Sequence, residues 1–147
     1  MKKKIALSAD HAGFHMKEKV KKYLVESGYE IKDFGTYSEE STDYPDYVHP
    51  ASSAVESGLF DVGFAFCGSG NGTTITANKY PGIRCALCWN EEISRLARSH
   101  NNANMCSLPA RFISDAESIL IVKTFLETGF EGGRHKRRID KISLKRV

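Results

Sequence analysis

The sequence has no apolar run long enough to cross a membrane. No stretch approaches the roughly 20 consecutive apolar residues that a membrane-spanning helix needs. The N-terminus is basic, but it leads at once into a strand-like run that ends at Asp10-His11. A secretory signal peptide would show a longer apolar stretch and a small-residue cleavage site there. We therefore expect a cytoplasmic protein that does not associate with membranes.

The sequence also lacks linkers, internal repeats and low-complexity segments. Its 147 residues suit one domain with one core, and an apolar fraction of 41% is ordinary for a globular protein. The sequence thus predicts a single domain over residues 1–147, in which residues 134–147 form a basic C-terminal helix or arm.

A large charge excess is absent as well. The 21 basic and 18 acidic residues leave a net charge of +3, and much of the excess falls in residues 134–147. That segment contains no Phe, Tyr or Trp, whereas single-stranded nucleic acid is usually held by aromatic side chains among basic ones. We expect no nucleic-acid partner and interpret most of these charges as a solvated helix face.

The four cysteines do not predict a metal centre. Cys85 and Cys88 form a C-x-x-C pair, but they fall within a predicted strand at 83–89. Positions three apart on a strand point to opposite faces of the sheet, so the two thiols cannot easily bind one ion. Buried structural thiols in a reducing compartment are the better interpretation.

Apolar, β-branched runs alternate five times with helical patterns along the chain. Strands separated by single helices run parallel, with helices on both faces of the sheet. The sequence therefore predicts a three-layer α/β/α, Rossmann-like fold with a five-stranded parallel sheet, whose ligands bind at the carboxyl ends of the strands. The predicted strands are residues 5–9, 29–34, 62–66, 83–89 and 104–108; the main predicted helices are residues 14–27, 44–58, 90–98 and 115–128.

A glycine-rich loop follows the third predicted strand, in the stretch FCGSGNGTT at residues 66–74. Gly68, Gly70 and Gly72 remove side chains where the backbone must approach a ligand closely. The helix predicted to follow points free N–H groups at the same space, which suits a phosphate or an oxyanion. The loop lacks the Lys-Ser/Thr ending of a P-loop and the G-x-G-x-x-G spacing of a dinucleotide-binding site.

A thiol, Cys67, stands at the entrance to this loop. A cysteine just before a helix N-terminus is favoured in its reactive thiolate form. Asp10, His11 and His100 are expected at neighbouring strand or helix ends, so the sequence predicts a base or nucleophile at Cys67; a buried structural thiol and a Cys-His hydrolase are the alternatives. Arg134 and Arg138, one helical turn apart, can bind one anion together.

Several short segments, taken together and in order, resemble type B ribose-5-phosphate isomerase, a family that includes allose- and galactose-6-phosphate isomerases. The resemblance covers residues 4 to about 142. Its segments are Ser8-Ala9-Asp10-His11-Ala12-Gly13, Asp43-Tyr44-Pro45, Cys67-Gly68-Ser69-Gly70-Asn71-Gly72, Ala77-Asn78-Lys79, Pro81-Gly82-Ile83-Arg84, Ser99-His100-Asn101-Asn102-Ala103-Asn104 and Glu131-Gly132-Gly133-Arg134-His135.

The resemblance implies an aldose–ketose isomerase that needs no metal and no organic cofactor. Its reaction moves a proton between C2 and C1 of an open-chain sugar phosphate through an enediolate. Cys67 matches the base of the family, and His100, helped by Asp10, matches the group that opens the furanose ring. One branch of the family has a glutamate base at the position of Thr73, which is a poor base, so the role stays with Cys67.

The remaining implied site residues bind the substrate. The amides of Ser69, Gly70, Asn71 and Gly72, with Gly68 before them, are expected to stabilise the enediolate oxygen, and Asn101 to hold that oxygen or a sugar hydroxyl. The residues implied for the phosphate are His11, Arg111, Arg134 and Arg138.

The resemblance also implies a homodimer in which the region of His100, Asn101 and Arg111 comes from the neighbouring subunit, with a tetramer left open. The predicted substrate is ribose 5-phosphate, interconverted with ribulose 5-phosphate; a six-carbon sugar phosphate is the alternative. A binding module without turnover would be favoured by loss of Cys67 or His100, and both are present.

Overall fold

The computed structural model describes residues 2–144, so Lys145 and Arg146 of the predicted basic arm lie outside the described residues. Five parallel strands form one sheet in the order β2-β1-β3-β5-β4. The fold class predicted from the sequence is confirmed. The elements are β1 Lys4–Ala9, α1 Phe14–Glu26, β2 Glu30–Asp33, α2 Tyr44–Glu56, β3 Val62–Cys67, α3 Asn71–Ala77, β4 Cys85–Leu87, α4 Glu91–Ser99, β5 Met105–Pro109, α5 Asp115–Glu127 and α6 Arg134–Ile139.

The sheet separates two apolar clusters, one on each face. Every residue of β3 is buried, and its side chains alternate between the faces, as the period of two in a strand requires. Phe64 and Phe66 pack with α1, α4 and α5, whereas Ala65 packs with α2 and α3. The sequence run VGFAFC is apolar throughout because helices cover both faces of a parallel sheet.

The fourth strand is shorter than the sequence predicts. It spans Cys85–Leu87 rather than residues 83–89, because β4 is an edge strand whose ladder with β5 covers only three residues. Cys85 packs on one face of the sheet and Cys88 on the other, as predicted. All four cysteines are buried free thiols.

Local signals define several helix boundaries. Asn90 caps α4 by accepting a hydrogen bond from the Ile93 N–H, and Ser114 and Glu117 form a capping box at the start of α5.

Within residues 2–144, none of the helices combines the length and apolar character that a membrane span requires.

The switch point of the sheet lies between β1 and β3. These strands are neighbours, but the chain leaves β1 towards β2 on one side and leaves β3 towards β4 on the other. The two crossovers diverge at the carboxyl ends of the strands and leave a crevice between them, where ligands of such sheets bind. Asp10 follows β1 and Cys67 ends β3, so the topology places both at this crevice.

Candidate active site

A cavity of about 520 Å³ opens at the carboxyl ends of β1 and β3, and we call it the thiol pocket. It brings together seven of the residues expected to form the site: four at or just beyond the ends of strands, and three in the glycine-rich loop. Its lining residues are Asp10, His11, Ala12, Tyr44, Cys67, Gly68, Ser69, Gly72, Arg111 and Phe112.

The Cys67 thiol is buried at the base of this pocket. Its Sγ lies 3.4 Å from the Thr73 hydroxyl, which in turn lies 2.9 Å from the Ser107 hydroxyl. The Thr73 side chain is completely buried, so the sulfur contacts a polar group shielded from water. Either atom can be the donor in this contact.

The Asp10 carboxylate is fixed by the backbone that follows it. Its Oδ1 accepts hydrogen bonds from the N–H groups of Ala12, at 2.9 Å, and Gly13, at 3.1 Å. These amides keep the carboxylate at the rim of the pocket although Asp10 is buried. The neighbouring His11 ring is held through Nδ1, which lies 3.1 Å from the Thr42 N and 3.2 Å from the Thr42 carbonyl oxygen.

Two glycines of the loop are required by close packing. Gly70 has a φ of +77°, and a Cβ there would lie 2.3 Å from Cδ1 of Leu87. A Cβ on Gly72 would lie 2.3 Å from the ring of Tyr44, which therefore packs directly on the loop. Because α3 begins at Asn71, the first N–H groups of the helix have no acceptor within it, and the Asn71 N–H donates to the Ser69 hydroxyl at 3.3 Å.

Arg111 lines the thiol pocket of its own chain, so the expectation that it comes from a neighbouring subunit is wrong for this residue. The reason is the strand order, which places β5 beside β3. Beyond the strands, the Ala110 N–H donates to the Cys67 carbonyl at 2.9 Å, and the Arg111 N–H donates to the Gly68 carbonyl at 3.0 Å. The guanidinium consequently lies against Gly68.

His100 does not lie near Cys67 within one chain, contrary to the expectation that their ends are neighbours. Helix α4 begins after the carboxyl end of β4 and runs back along the sheet, so His100, which caps its C-terminus, precedes the amino end of β5. The loop that carries His100 and Asn101 is fixed there by Arg84, whose Nε donates to the Asn101 carbonyl at 2.9 Å.

Arg134 and Arg138 lie on α6, next to His100 rather than next to the thiol pocket. The Glu131 N–H donates to the Ser99 carbonyl at 3.0 Å, which ties the start of this segment to the end of α4. Both arginines are exposed. One chain therefore carries two separate groups of site residues, one at the carboxyl ends of the strands and one at their amino ends. We call the second group the histidine edge; it consists of His100, Asn101, Arg134 and Arg138.

Three potential metal ligands, His100, Glu131 and His135, have donor atoms within 4.8 Å of one another. The two imidazoles, however, are stacked with ring centroids 4.1 Å apart and planes inclined by 13°. The lone pair of an imidazole nitrogen lies in the ring plane, so two nearly parallel, stacked rings direct their lone pairs within two separate planes. This arrangement does not converge on one ion as a tetrahedral zinc site requires.

Sequence reasoning assigned no role to four residues that the structure places at the two edges. Tyr44 and Phe112 line the thiol pocket, Thr73 contacts the sulfur, and His135 stacks on His100. Tyr44 and His135 had a signal, since each falls in one of the resembling segments. Thr73 is only six positions from Cys67, but its contact with the sulfur depends on the conformation of the loop between them, which local pattern does not encode.

The fold and the thiol pocket define an α/β enzyme that binds a small anionic molecule at its switch point. The comparisons with known proteins give the family. Residues 5–142 match the Ribose/Galactose Isomerase family. Ribose-5-phosphate isomerase B of Escherichia coli (strain K12) is 40% identical over 141 residues, which cover 96% of this chain and 95% of that protein.

Comparison with solved structures indicates the same family. A ribose 5-phosphate isomerase from Thermotoga maritima is 54% identical with a TM-score of 0.94, covering 96% of this chain and 97% of that one. Ribose-5-phosphate isomerase B from Mycoplasma genitalium, solved with bound ribulose-5-phosphate, is 40% identical with a TM-score of 0.91, covering 95% and 93%. The chain belongs to the ribose/galactose isomerase family, in the type B ribose-5-phosphate isomerase branch, as the resemblance predicted.

Proposed function

We propose that this chain is an aldose–ketose isomerase that interconverts ribose 5-phosphate and ribulose 5-phosphate. The observation that carries the proposal is the buried Cys67 thiol at the switch point, in one pocket with a fixed carboxylate and a guanidinium. The printed names of the relatives, and the ribulose 5-phosphate bound to one of them, support the five-carbon substrate.

Cys67 is the proposed base. It removes the proton from C2 of the open-chain aldose, and the carbonyl oxygen at C1 becomes negative in the enediolate. The hydroxyl proton at C2 then passes to the oxygen at C1, a carbonyl forms at C2, and Cys67 returns its proton to C1. A thiol can exchange a proton near neutral pH, as this shuttle needs. We assign the developing oxyanion to N–H groups at the start of α3, which have no acceptor within that helix. The mechanism uses no metal and no organic cofactor.

Ring opening precedes this step, because the aldose is mostly a furanose. The C1–O4 bond breaks, O4 gains a proton, and the hydroxyl at C1 loses one. We assign the proton gained by O4 to His100 and the proton lost by the hydroxyl to the carboxylate of Asp10. His11, Arg111, Arg134 and Arg138 bind the phosphate, for which guanidinium groups are well suited; Asn101 holds a substrate oxygen.

Such a site needs two copies of the chain. The thiol pocket and the histidine edge lie at opposite edges of one sheet, and the His100 side chain is 38% exposed, available to a second molecule. We infer a homodimer, or a tetramer made of two such dimers, in which each thiol pocket is completed by the partner's histidine edge. The chain acts as a single domain, and its four buried free thiols support a cytoplasmic location.

The proposal is tested by isomerisation of ribose 5-phosphate by the purified protein in the presence of EDTA. Cys67→Ala is compared with Cys88→Ala, which removes a buried thiol outside the pocket. We expect the first substitution to lower kcat/KM by at least about 100-fold and the second to leave it nearly unchanged. If the protein turns over allose or galactose 6-phosphate but not ribose 5-phosphate, the five-carbon substrate assignment is wrong. If Cys67→Ala is fully active, Cys67 is not the base.

A further inference from the structure

The His100 ring is backed by a second imidazole that the proposed mechanism does not use. His135, on the first turn of α6, stacks face to face on His100, with centroids 4.1 Å apart and planes inclined by 13°. The Oε2 of Glu131 lies beside both rings, 3.3 Å from Nε2 of His135 and 3.8 Å from Nε2 of His100.

His135 differs from a surface histidine in its burial and in its missing hydrogen bond. Only 6% of the residue is exposed, and its Nε2 has no aligned hydrogen-bond partner within residues 2–144. A buried ring nitrogen without a partner is rare in folded proteins and calls for a specific reason. The burial, the neighbouring His100 and the nearby Arg134 lower the pKa of His135, so this ring stays neutral.

A neutral, buried ring is a suitable support for a reactive one. The His100 backbone is already fixed, since its N–H donates to the Leu96 carbonyl at 2.9 Å, but its side chain is partly exposed and could adopt other rotamers. The stack limits His100 to one ring plane. The Glu131 carboxylate lies on the same side of the stack, beside the Nε2 atoms of both rings.

We propose that His135, together with Glu131, positions His100 for opening of the sugar ring. This inference rests on the proposed function, in which His100 gives a proton to O4 while the C1–O4 bond breaks and the hydroxyl at C1 gives its proton to Asp10. His135 and Glu131 touch neither the substrate nor the reacting atoms in this scheme. They are positioning residues, and they act only in the ring-opening step.

The experiment compares ribose 5-phosphate, whose furanose ring must open before isomerisation, with a sugar phosphate that cannot form a furanose ring. Furanose formation needs O4, so 4-deoxyribose 5-phosphate is an open-chain aldose of the same length with the same phosphate. We expect His135→Ala to lower kcat/KM for ribose 5-phosphate by about 10- to 100-fold, because misplacing a catalytic group has effects of that size. Turnover of the 4-deoxy sugar stays within about twofold of wild type, since proton transfer at Cys67 is untouched.

Two further variants separate the contributions. His135→Phe keeps a flat ring against His100 and is expected to restore most of the activity on ribose 5-phosphate that His135→Ala loses. Glu131→Gln keeps the shape but removes the charge, and we expect a smaller loss, again confined to ribose 5-phosphate. An equal loss on both sugars would show a merely structural role, and no loss on either would show no role; both results overturn the proposal.

A second measurement decides the matter if wild type turns over the 4-deoxy sugar poorly. An enzyme that cannot open the ring draws only on the small open-chain fraction of ribose 5-phosphate. As the concentration of such an enzyme is raised, its reaction velocity reaches a plateau set by the rate of spontaneous ring opening. The wild-type velocity instead stays proportional to the enzyme concentration. Failure of the proposed function looks different, because wild type would then isomerise neither sugar or His100→Asn would be fully active.

Discussion

The Oγ1 of Thr73, in the first turn of α3, lies 3.4 Å from the Sγ of Cys67, at the end of β3, and both side chains are buried. The same hydroxyl lies 3.1 Å from the Gly70 carbonyl and 2.9 Å from the Ser107 hydroxyl. A hydroxyl has one proton to donate. Thr73 can therefore donate to Gly70 while the sulfur is protonated and turn towards the sulfur when a thiolate forms.

Replacing Thr73 by valine tests this contact, because valine keeps the shape and removes the hydroxyl. Losing a donor next to the sulfur disfavours the thiolate. We expect alkylation of Cys67 by iodoacetamide at neutral pH to slow by about 3- to 10-fold, and kcat/KM to fall in parallel. Thr76→Val is the control, since its hydroxyl donates to the Gly72 carbonyl one turn further on. Equal alkylation rates in the two variants would exclude a role for Thr73.

A site shared between subunits predicts complementation between two inactive variants. Cys67→Ala damages the thiol pocket and His100→Asn damages the histidine edge. A mixed dimer of the two contains one site with both residues intact. Random pairing makes half of the dimers mixed, so we expect co-expression to restore about a quarter of wild-type activity.

The matched control pairs two variants of the same pocket. Cys67→Ala co-expressed with Asp10→Asn leaves no intact site in any dimer, because both residues belong to one thiol pocket. This pair is expected to show no recovery. The shared site is wrong if the Cys67→Ala and His100→Asn pair also stays inactive although the mixed dimer is isolated.

The sheet could be predicted from the sequence because its signals are local. The buried run around Phe64 alternates between two apolar layers, and glycines or capping residues such as Asn90 mark where helices stop and start. The residues at the ends of β1 and β3 followed directly, since parallel strands end at one edge. Asp10 and Cys67 accordingly meet in one pocket.

The positions of His100 and Arg111 could not be obtained in this way. Whether a loop lies over Cys67 depends on the strand order, and β5 rather than β4 is the neighbour of β3. This order brings Arg111 to the pocket, while the direction of α4 takes His100 to the other edge. The stack of His135 on His100 likewise depends on how α6 docks, a contact across 35 positions of the sequence.

A buried ion pair at the end of β2 predicts acid sensitivity. Lys17 is completely buried, and its Nζ lies 2.6 Å from Oδ2 of Asp33, whose Oδ1 accepts from the Gly35 N–H at 2.9 Å. Burial acts to raise the pKa of Asp33, but the hydrogen bonds from Lys17 and Gly35 outweigh it, and the pKa lies below its usual value. The pair therefore stabilises the fold above about pH 4, the pKa of an unperturbed aspartate, and this contribution is lost as the pH falls through the lowered pKa.

Asp33→Asn removes one of the two carboxylates that face Lys17 and leaves it paired only with Glu18, whose partly exposed Oε1 lies 2.8 Å from Nζ. We expect a loss of about 1.5–3 kcal/mol in the free energy of unfolding at pH 7, the usual size for a hydrogen bond to a charged group. The difference from wild type should stay constant down to about pH 4 and shrink below it, because wild-type Asp33 then becomes protonated as well. Urea unfolding at several pH values measures both effects. Glu26→Gln, in an exposed pair with Lys22, is the control and should change stability by less than about 0.5 kcal/mol. A difference that grows in acid would contradict the assignment.

Gly13 connects the packing of the sheet to the geometry of the thiol pocket. A Cβ at this position would lie 2.2 Å from the Phe66 carbonyl oxygen, one residue before Cys67. Backbone cannot yield as a flexible side chain can, so Gly13→Ala must push the loop after β1 away from β3. The Gly13 N–H also donates to Asp10 Oδ1, and the shift moves that carboxylate relative to the thiol.

We expect Gly13→Ala to lower the free energy of unfolding by about 1–3 kcal/mol, the usual effect of overpacking. The loss in kcat should be larger than this stability loss explains when both are measured at a temperature where the variant is fully folded. Gly129→Ala is the matched control, because a Cβ there meets nothing within 4 Å, and its stability and kcat should equal those of wild type. A stable, fully active Gly13→Ala protein would mean that β1 and β3 can separate at their carboxyl ends without disturbing the alignment of Asp10 and Cys67.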